Sequence, residues 1–112
     1  MLNQIVVVGR LVREPELKES ENKKSFTYIT LAVPRSFKNV DGQYDTDFVS
    51  FKLWDGIAEN VKEYCKKGDL LGVKGRVESW NYEKDDKTNY VTELIAEKIT
   101  FLSSNKTETE KK

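Results

Sequence analysis

The chain has 112 residues, with 19 Lys+Arg against 19 Asp+Glu, no histidine and one cysteine. That is one domain, or one domain and a tail, long enough to bury a core without disulfide staples. A single cysteine excludes a disulfide within the chain, and a Cys/His zinc site is excluded with it. Zero net charge means that any basic binding surface must be local.

Met1-Leu2-Asn3-Gln4 runs straight into an apolar strand. No room is left for a signal or transit peptide, and no run of about 18 apolar residues could cross a bilayer. A reducing cytoplasm is therefore expected. Ile5-Val6-Val7-Val8 is apolar on both faces, so it needs cover on both. That second cover is a further layer of this chain or another subunit. Gly9 suggests a bulge or a bend.

Glu14-Pro15-Glu16 ends the first strand, and Ser20–Lys24 reads as a turn. Ser25–Val33, rich in Phe, Thr, Tyr, Ile and Val, reads as a long strand that Pro34 should end. Arg35–Thr46 is then a long connection with an Asp41-Gly42 turn signal. It carries Arg35, Phe37, Lys38 and Tyr44 among polar residues. Such a loop either clasps an extended ligand or tucks Phe37 beneath itself.

Asp47–Trp54 alternates sharply. Val49, Phe51 and Leu53 share one face; Phe48, Ser50, Lys52 and Trp54 share the other. Rings beside cations suit a single nucleic-acid strand, which needs faces for its bases and charges for its phosphates. The competing reading puts Phe48 and Trp54 in a second core layer.

Gly56 breaks the strand pattern. Ile57, Ala58, Val61, Tyr64 and Cys65 then recur at helical spacing, predicting about three turns that Gly68 should stop. Cys65 is expected to pack as a small apolar residue.

Leu70–Tyr82 returns to strand. Val73, Gly75, Val77 and Ser79 lie on one side; Lys74, Arg76, Glu78, Trp80 and Tyr82 lie on the other. A second strand thus sets rings and cations opposite a core face, which favours a stacking surface. Asp85–Asn89 is a turn. Tyr90–Leu102 is the last strand, with Val91, Ile95, Ile99 and Phe101 on one side. Strict alternation adds Glu93 and Glu97 to that side, so a bulge or an edge must intervene. Ser103–Lys112 lacks apolar residues and is expected to be a disordered tail.

Five strands with a helix between the third and fourth is the order of the OB fold. The expected class is all-β: a five-stranded Greek-key barrel over residues 1–102, which in such proteins binds oligonucleotides across its second and third strands.

From Met1 to about Leu102 the chain resembles the bacterial single-stranded DNA-binding (SSB) proteins. The matching stretches are Met1–Leu11, Glu14-Pro15-Glu16, Thr30–Val33, Asp47-Phe48, Ala58–Val61, Lys67-Gly68, Gly72–Arg76 and Tyr90–Glu93. The resemblance implies a non-enzymatic binder that coats single-stranded DNA in replication, recombination and repair, generally as a homotetramer. It implies stacking rings at Phe37, Phe48, Trp54 and Tyr82, and basic contacts at Arg10, Lys66, Lys67 and Arg76. Position on the exposed faces and in the long loop adds Trp80, Arg35, Lys38, Lys52 and Lys74. Tyr28 is expected to be structural. Asn3 and Ile5, Val6, Val7 and Val8 resemble the family's subunit interface. No cofactor or metal is implied.

Three features depart from the family. Gln4 stands where it usually carries Arg or Lys. Trp80 replaces a frequent Arg, with Glu78 nearby. The family's acidic, Pro-Phe-ended tail that recruits replication and repair proteins does not appear before the last residues given, Glu110-Lys111-Lys112, so the expectation is either a short paralogue of chromosomal, phage or plasmid origin or a truncated chain. Two rival readings follow: a small nuclease of the same barrel type, and a primosomal-type OB adaptor or phage- or plasmid-borne paralogue that mainly recruits protein. The nuclease reading lacks a histidine base and a visible carboxylate pair.

Overall fold

The computed structural model describes residues 1–104. The elements in chain order are β1 (Ile5–Leu11), β2 (Lys18–Glu19), β3 (Ser25–Lys38), β4 (Tyr44–Trp54), α1 (Asp55–Tyr64), β5 (Leu70–Lys84) and β6 (Lys87–Ser103). The strands lie in the order β1-β5-β6-β4-β3-β2, and a further β1–β3 pairing closes the ring. Five long strands thus form a closed barrel, with α1 between the third and fourth of them, as the OB order requires. The two-residue β2, which the sequence reading missed, pairs only with the start of β3.

The inside of the barrel follows the period of two. Ile29 and Leu31 of β3, Phe51 and Leu53 of β4, and Leu71 and Val73 of β5 are buried together. Burying each such side chain contributes about 1.5–3 kcal/mol. Ala58, Val61 and Cys65 close one end of this core. Burial, and then the Asp69 carboxylate, push the Cys65 thiol up from its ordinary pKa, so the residue packs as an unreactive apolar group.

Gly9 marks the corner where β1 passes from β5 to β3. Val8 pairs with Gly72, whereas Leu11 pairs with Leu31. A Cβ on Gly9 would lie 2.7 Å from the Ala32 carbonyl oxygen, so only glycine lets the strands approach this closely. Gly75 is tighter still, its missing Cβ falling 2.2 Å from the Ile95 carbonyl oxygen.

Several boundaries differ from expectation, among them the turn expected at Asp85–Asn89, which narrows to Asp85 and Asp86 because β5 runs on to Lys84 and β6 begins at Lys87. Pro34 does not end β3, which runs on to Lys38 and pairs Pro34 with Thr46. Beyond Leu31 and Ala32 the strand has left β1 and has β4 as its only neighbour, so a missing N–H is tolerated. The connection expected at Arg35–Thr46 shrinks to a turn at 39–43. There Asn39 Oδ1 accepts from the amides of Asp41 (2.8 Å) and Gln43 (3.0 Å). Gly56 sits inside α1, and the left-handed residue at the strand–helix corner is Asp55, with φ 48°. Finally, α1 ends at Tyr64, before Gly68. Cys65 turns extended to reach the core, and the Asp69 carboxylate accepts from the Lys66 amide at 2.9 Å to form a separate turn, in which Gly68 takes φ 92°.

The irregularity required in the last strand lies at Glu97. Lys74 pairs with Lys98 but Gly75 with Ala96, so Glu97 is an extra residue. Before it, Val91 and Glu93 face outward, Leu94 and Ala96 pack toward the core and Ile95 is buried as well; after it, Ile99 packs inward. Of the four residues that strict alternation put on one core-facing side, Ile95 and Ile99 are buried or packed on the core, whereas Val91 is only partly buried on the outer side and Phe101 is 50% exposed. Two hairpins project from the barrel. One, β3–β4, turns at 39–43; the other, β5–β6, turns at Asp85 and Asp86, both at positive φ. They raise the radius of gyration to 16.4 Å, against about 13 Å for a compact chain of 100 residues. The disordered-tail expectation falls mainly on 105–112, outside the described residues.

Gly75→Ala should destabilise the protein by about 1–3 kcal/mol through overpacking. Gly56→Ala, with open space around its Cβ, should stabilise it by about 0.5–1 kcal/mol. Urea denaturation of both variants at one protein concentration checks the contrast.

Candidate nucleic-acid interface

Because the odd residues of β3 and β4 fill the core, the even ones must face out. Phe26 lies opposite Trp54, Tyr28 opposite Lys52, Thr30 opposite Ser50 and Ala32 opposite Phe48. Phe26 and Trp54 meet at 5.6 Å between ring centroids, and Phe26 and Tyr28 meet edge-on at 6.1 Å. The Lys52 ammonium sits among them, 4.3 Å from the Trp54 centroid, 5.0 Å from Phe26 and 5.6 Å from Tyr28. Cation–π attraction holds it there. Phe48 stands clear of this group, 67% exposed.

Across the sheet, β5 and β6 continue the same outer face. Trp80 and Tyr82 lie 5.9 Å apart. Glu93 joins the two halves: Tyr28 Oη donates to its Oε2 at 2.8 Å, and Trp80 Nε1 donates to its Oε1 at 3.2 Å. Partial burial, and then this hydrogen bond, push the Tyr28 hydroxyl above its ordinary pKa of 10.0. It therefore stays a donor at neutral pH. The contact stabilises the fold fully below the ordinary value and is lost as pH rises through the raised one.

Clustered ring faces, one cation held among them and polar groups on the outside of the sheet can stack flat molecules and attract anions. Carboxylates take up part of the remaining charge. Arg35 donates to both oxygens of Asp47, at 2.9–3.3 Å, and lies 3.8 Å from Asp45. The hydrogen bond from Arg35 holds the Asp47 carboxyl below the usual range. Arg76 is bound by Glu78 and, at 3.2 Å, by Glu97; these bonds raise its pKa.

The family model described as "Single-strand binding protein family" matches residues 2–102. The chain belongs to the single-strand binding protein family. It is 43% identical over 103 residues to single-stranded DNA-binding protein B of Bacillus subtilis, covering 91% of each chain. To single-stranded DNA-binding protein 3 of Listeria innocua it is 47% identical over 105 residues, covering 93% of this chain but 66% of that one. Among solved structures, a deletion mutant of the single-stranded DNA binding protein from Thermus aquaticus superposes with a TM-score of 0.76 at 26% identity, over 94% of this chain and 52% of the other. The Plasmodium falciparum SSB complex with ssDNA gives 0.75 at 23% identity, over 92% and 96%, and supports the fold.

Within this member of the family, the expected site residues form separate groups. Phe48, Lys52, Trp54, Trp80 and Tyr82 share the outer face. Phe37, 63% exposed, lies on the β3–β4 hairpin with the Arg35 guanidinium 5.9 Å from its ring; Lys38 lies equally near Tyr44. Phe37 is not tucked under. Arg10, Lys66 and Lys67 gather around the turn after α1, where Arg10 Nη1 donates to the Gly68 carbonyl at 2.9 Å. Lys74 lies on β5 between Val6 and Lys98.

Sequence reasoning missed Phe26 and Glu93, and it treated Tyr28 as structural, although Tyr28 is 45% exposed on the ring face. The signal was present. Phe26, Tyr28 and Thr30 alternate with Thr27, Ile29 and Leu31 as clearly as the residues of β4 do. Glu93 was conspicuous as a misfit in its strand.

The first strand needs a similar correction. Ile5 and Val7 pack inward, so only Val6 (63% exposed) and Val8 (49%) are available to a partner. Alternation across a sheet forbids all four from sharing one interface. Asn3 exchanges two hydrogen bonds of 2.8 Å with the Val77 backbone, extending the β1–β5 pairing. Among the described residues no helix is long and apolar enough to cross a membrane.

Proposed function

We propose that the chain binds single-stranded DNA with little regard to sequence and without chemical change, protecting it in replication, recombination and repair. The carrying observation is the ring face: Phe26, Tyr28, Trp54 and Phe48 on two paired strands, with Lys52 among them and Trp80 and Tyr82 beside them. Bases stack on these rings, and Lys52 swings from its ring contacts to phosphate. Phe37 and Lys38 extend the path along the β3–β4 hairpin. Arg10, Lys66, Lys67 and Lys74 track the backbone around the barrel. The relatives' shared name supports this reading over the protein-recruiting alternative.

Every base has a flat face, so stacking tolerates any sequence, whereas a duplex hides those faces. Trp54→Ala should weaken binding to oligo-dT by about 1–3 kcal/mol, and tryptophan fluorescence should fall on titration with poly-dT. Equal affinity for duplex, or an unchanged Trp54→Ala titration, contradicts the assignment.

Arg35 and Arg76 enter binding already paired with carboxylates, so the salt dependence should be shallower than that of a more basic relative. Asp47→Asn releases Arg35 and should steepen the log–log slope by about 0.7, one phosphate contact on a single strand. A slope unchanged by Asp47→Asn argues that Arg35 is remote from DNA.

A homotetramer is the expected assembly, with Val6, Val8 and the neighbouring Leu102 as its apolar contact. Gly72 leaves that surface open; its absent Cβ would lie 3.6 Å from Leu102 Cδ1 and 3.8 Å from Val8 Cγ2. Sedimentation equilibrium should give four chains for the native protein and a smaller species for Val8→Lys. A tetramer undisturbed by that charge places the contact elsewhere.

A further inference from the structure

A carboxylate in the middle of a DNA-binding face calls for an explanation, because it repels phosphate. Glu93 is half-buried there, and among the described residues it has no ion pair. Its cross-strand neighbour is another carboxylate, Glu78, which is tied to Arg76. Glu93 is held instead by two neutral donors, Tyr28 Oη and Trp80 Nε1, one on each oxygen. A carboxylate offers about four acceptor positions, so each oxygen keeps one. The carboxylate also lines a hollow of about 460 Å³ with Tyr28, Phe48, Ser50, Lys52 and Val91, within the usual range of small-ligand sites, roughly 300–1,000 Å³.

We infer that Glu93 is a base-reading residue that accepts a hydrogen bond from an exocyclic amino group of a base stacked in this hollow, giving a preference for cytosine over uracil. The inference rests on the single-strand binding reading above. A base stacked on Phe48 or Tyr28 turns its edge toward the Glu93 oxygens. Cytosine presents its N4 amino group as a donor there, a match for carboxylate in base recognition. It also presents acceptors, for which the Lys52 ammonium and the Ser50 hydroxyl are donors. Uracil and thymine replace the amino group by a carbonyl oxygen, which faces the carboxylate with like partial charge. Their N3–H is a donor, but it is flanked by two carbonyls that the carboxylate repels. Trp80 Nε1 orients Glu93, the Tyr28 hydroxyl occupies one acceptor position on the other oxygen, and the free lone pairs read the base. Stacking still dominates, so this is a local bias on a binder that accepts every sequence.

The test compares short oligo(dC) and oligo(dU) of equal length. These differ only on the edge that Glu93 reads and share the intrinsic flexibility of pyrimidine strands. The dC-over-dU affinity ratio should fall by about fivefold or more in Glu93→Gln, the low end for a polar contact to a base edge. Removal of a negative charge should at the same time raise affinity for both oligomers. Tyr28→Phe, which keeps the ring and the carboxylate, should keep the ratio. If Glu93→Gln shifts both oligomers by the same factor, the carboxylate acts only through its charge and the inference is overturned while the binding reading stands. A ratio lost equally in Tyr28→Phe overturns it too, assigning the effect to ring placement. Failure of the native protein to bind either oligomer overturns both.

Discussion

The constraint on which the molecule depends is the two-residue period of β3 and β4 in a barrel too narrow to take more than one layer of side chains. Ile29, Leu31, Phe51 and Leu53 occupy that layer together with Leu11, Leu71 and Val73. Phe26, Tyr28, Phe48 and Trp54 then have no place inside. In a chain with nothing to bind, rings so placed would be a liability. Phe26, Tyr28 and Trp54 are braced by one another, by Lys52 and, at Tyr28, by Glu93, so this part of the face is ordered before any ligand arrives, while Phe48 stands clear of it. Pre-ordering matters because association must otherwise meet the entropic cost of fixing those side chains.

Charge is arranged by the same logic. The chain is neutral overall, and its exposed guanidiniums at positions 35 and 76 are matched with carboxylates. Lys52, in contrast, is held only by the faces of rings. A cation on a ring is easily transferred to phosphate when a base takes its place, because the ring exchanges one partner for another and the ammonium gains a formal counter-charge. The proposed binding mode therefore relies more on stacking and less on counterion release than that of a strongly basic binder.

The barrel was readable from alternation in Asp47–Trp54 and Leu70–Tyr82, from the helical spacing of Ile57–Cys65, and from their order. The outward placement of Phe48, Trp54, Trp80 and Tyr82 was legible for the same reason, since each falls on the opposite side of its strand's alternation from the core-facing residues. What escaped was whatever depends on register between distant strands. Tyr28 was taken as structural although its strand alternates; the pairing with Lys52 places it on the outer face. Glu93 looked like an error in its strand until the extra residue at Glu97 moved everything before it to the other side. Pro34 misled because the rule against proline in strands applies where both edges are paired. The similarity of Ile5–Val8 to a family interface suggested four contact residues, where the pleat leaves two.

The central claim is that unpaired bases rest on the outer rings of β3 and β4. A crystal structure of the protein with a short oligo-dT tests it most directly. The account predicts bases stacked on Trp54 and Phe48, with Lys52 moved from the ring cluster to a phosphate. A strand bound across α1 or the turn after it, with those rings bare and Lys52 still among them, would contradict it.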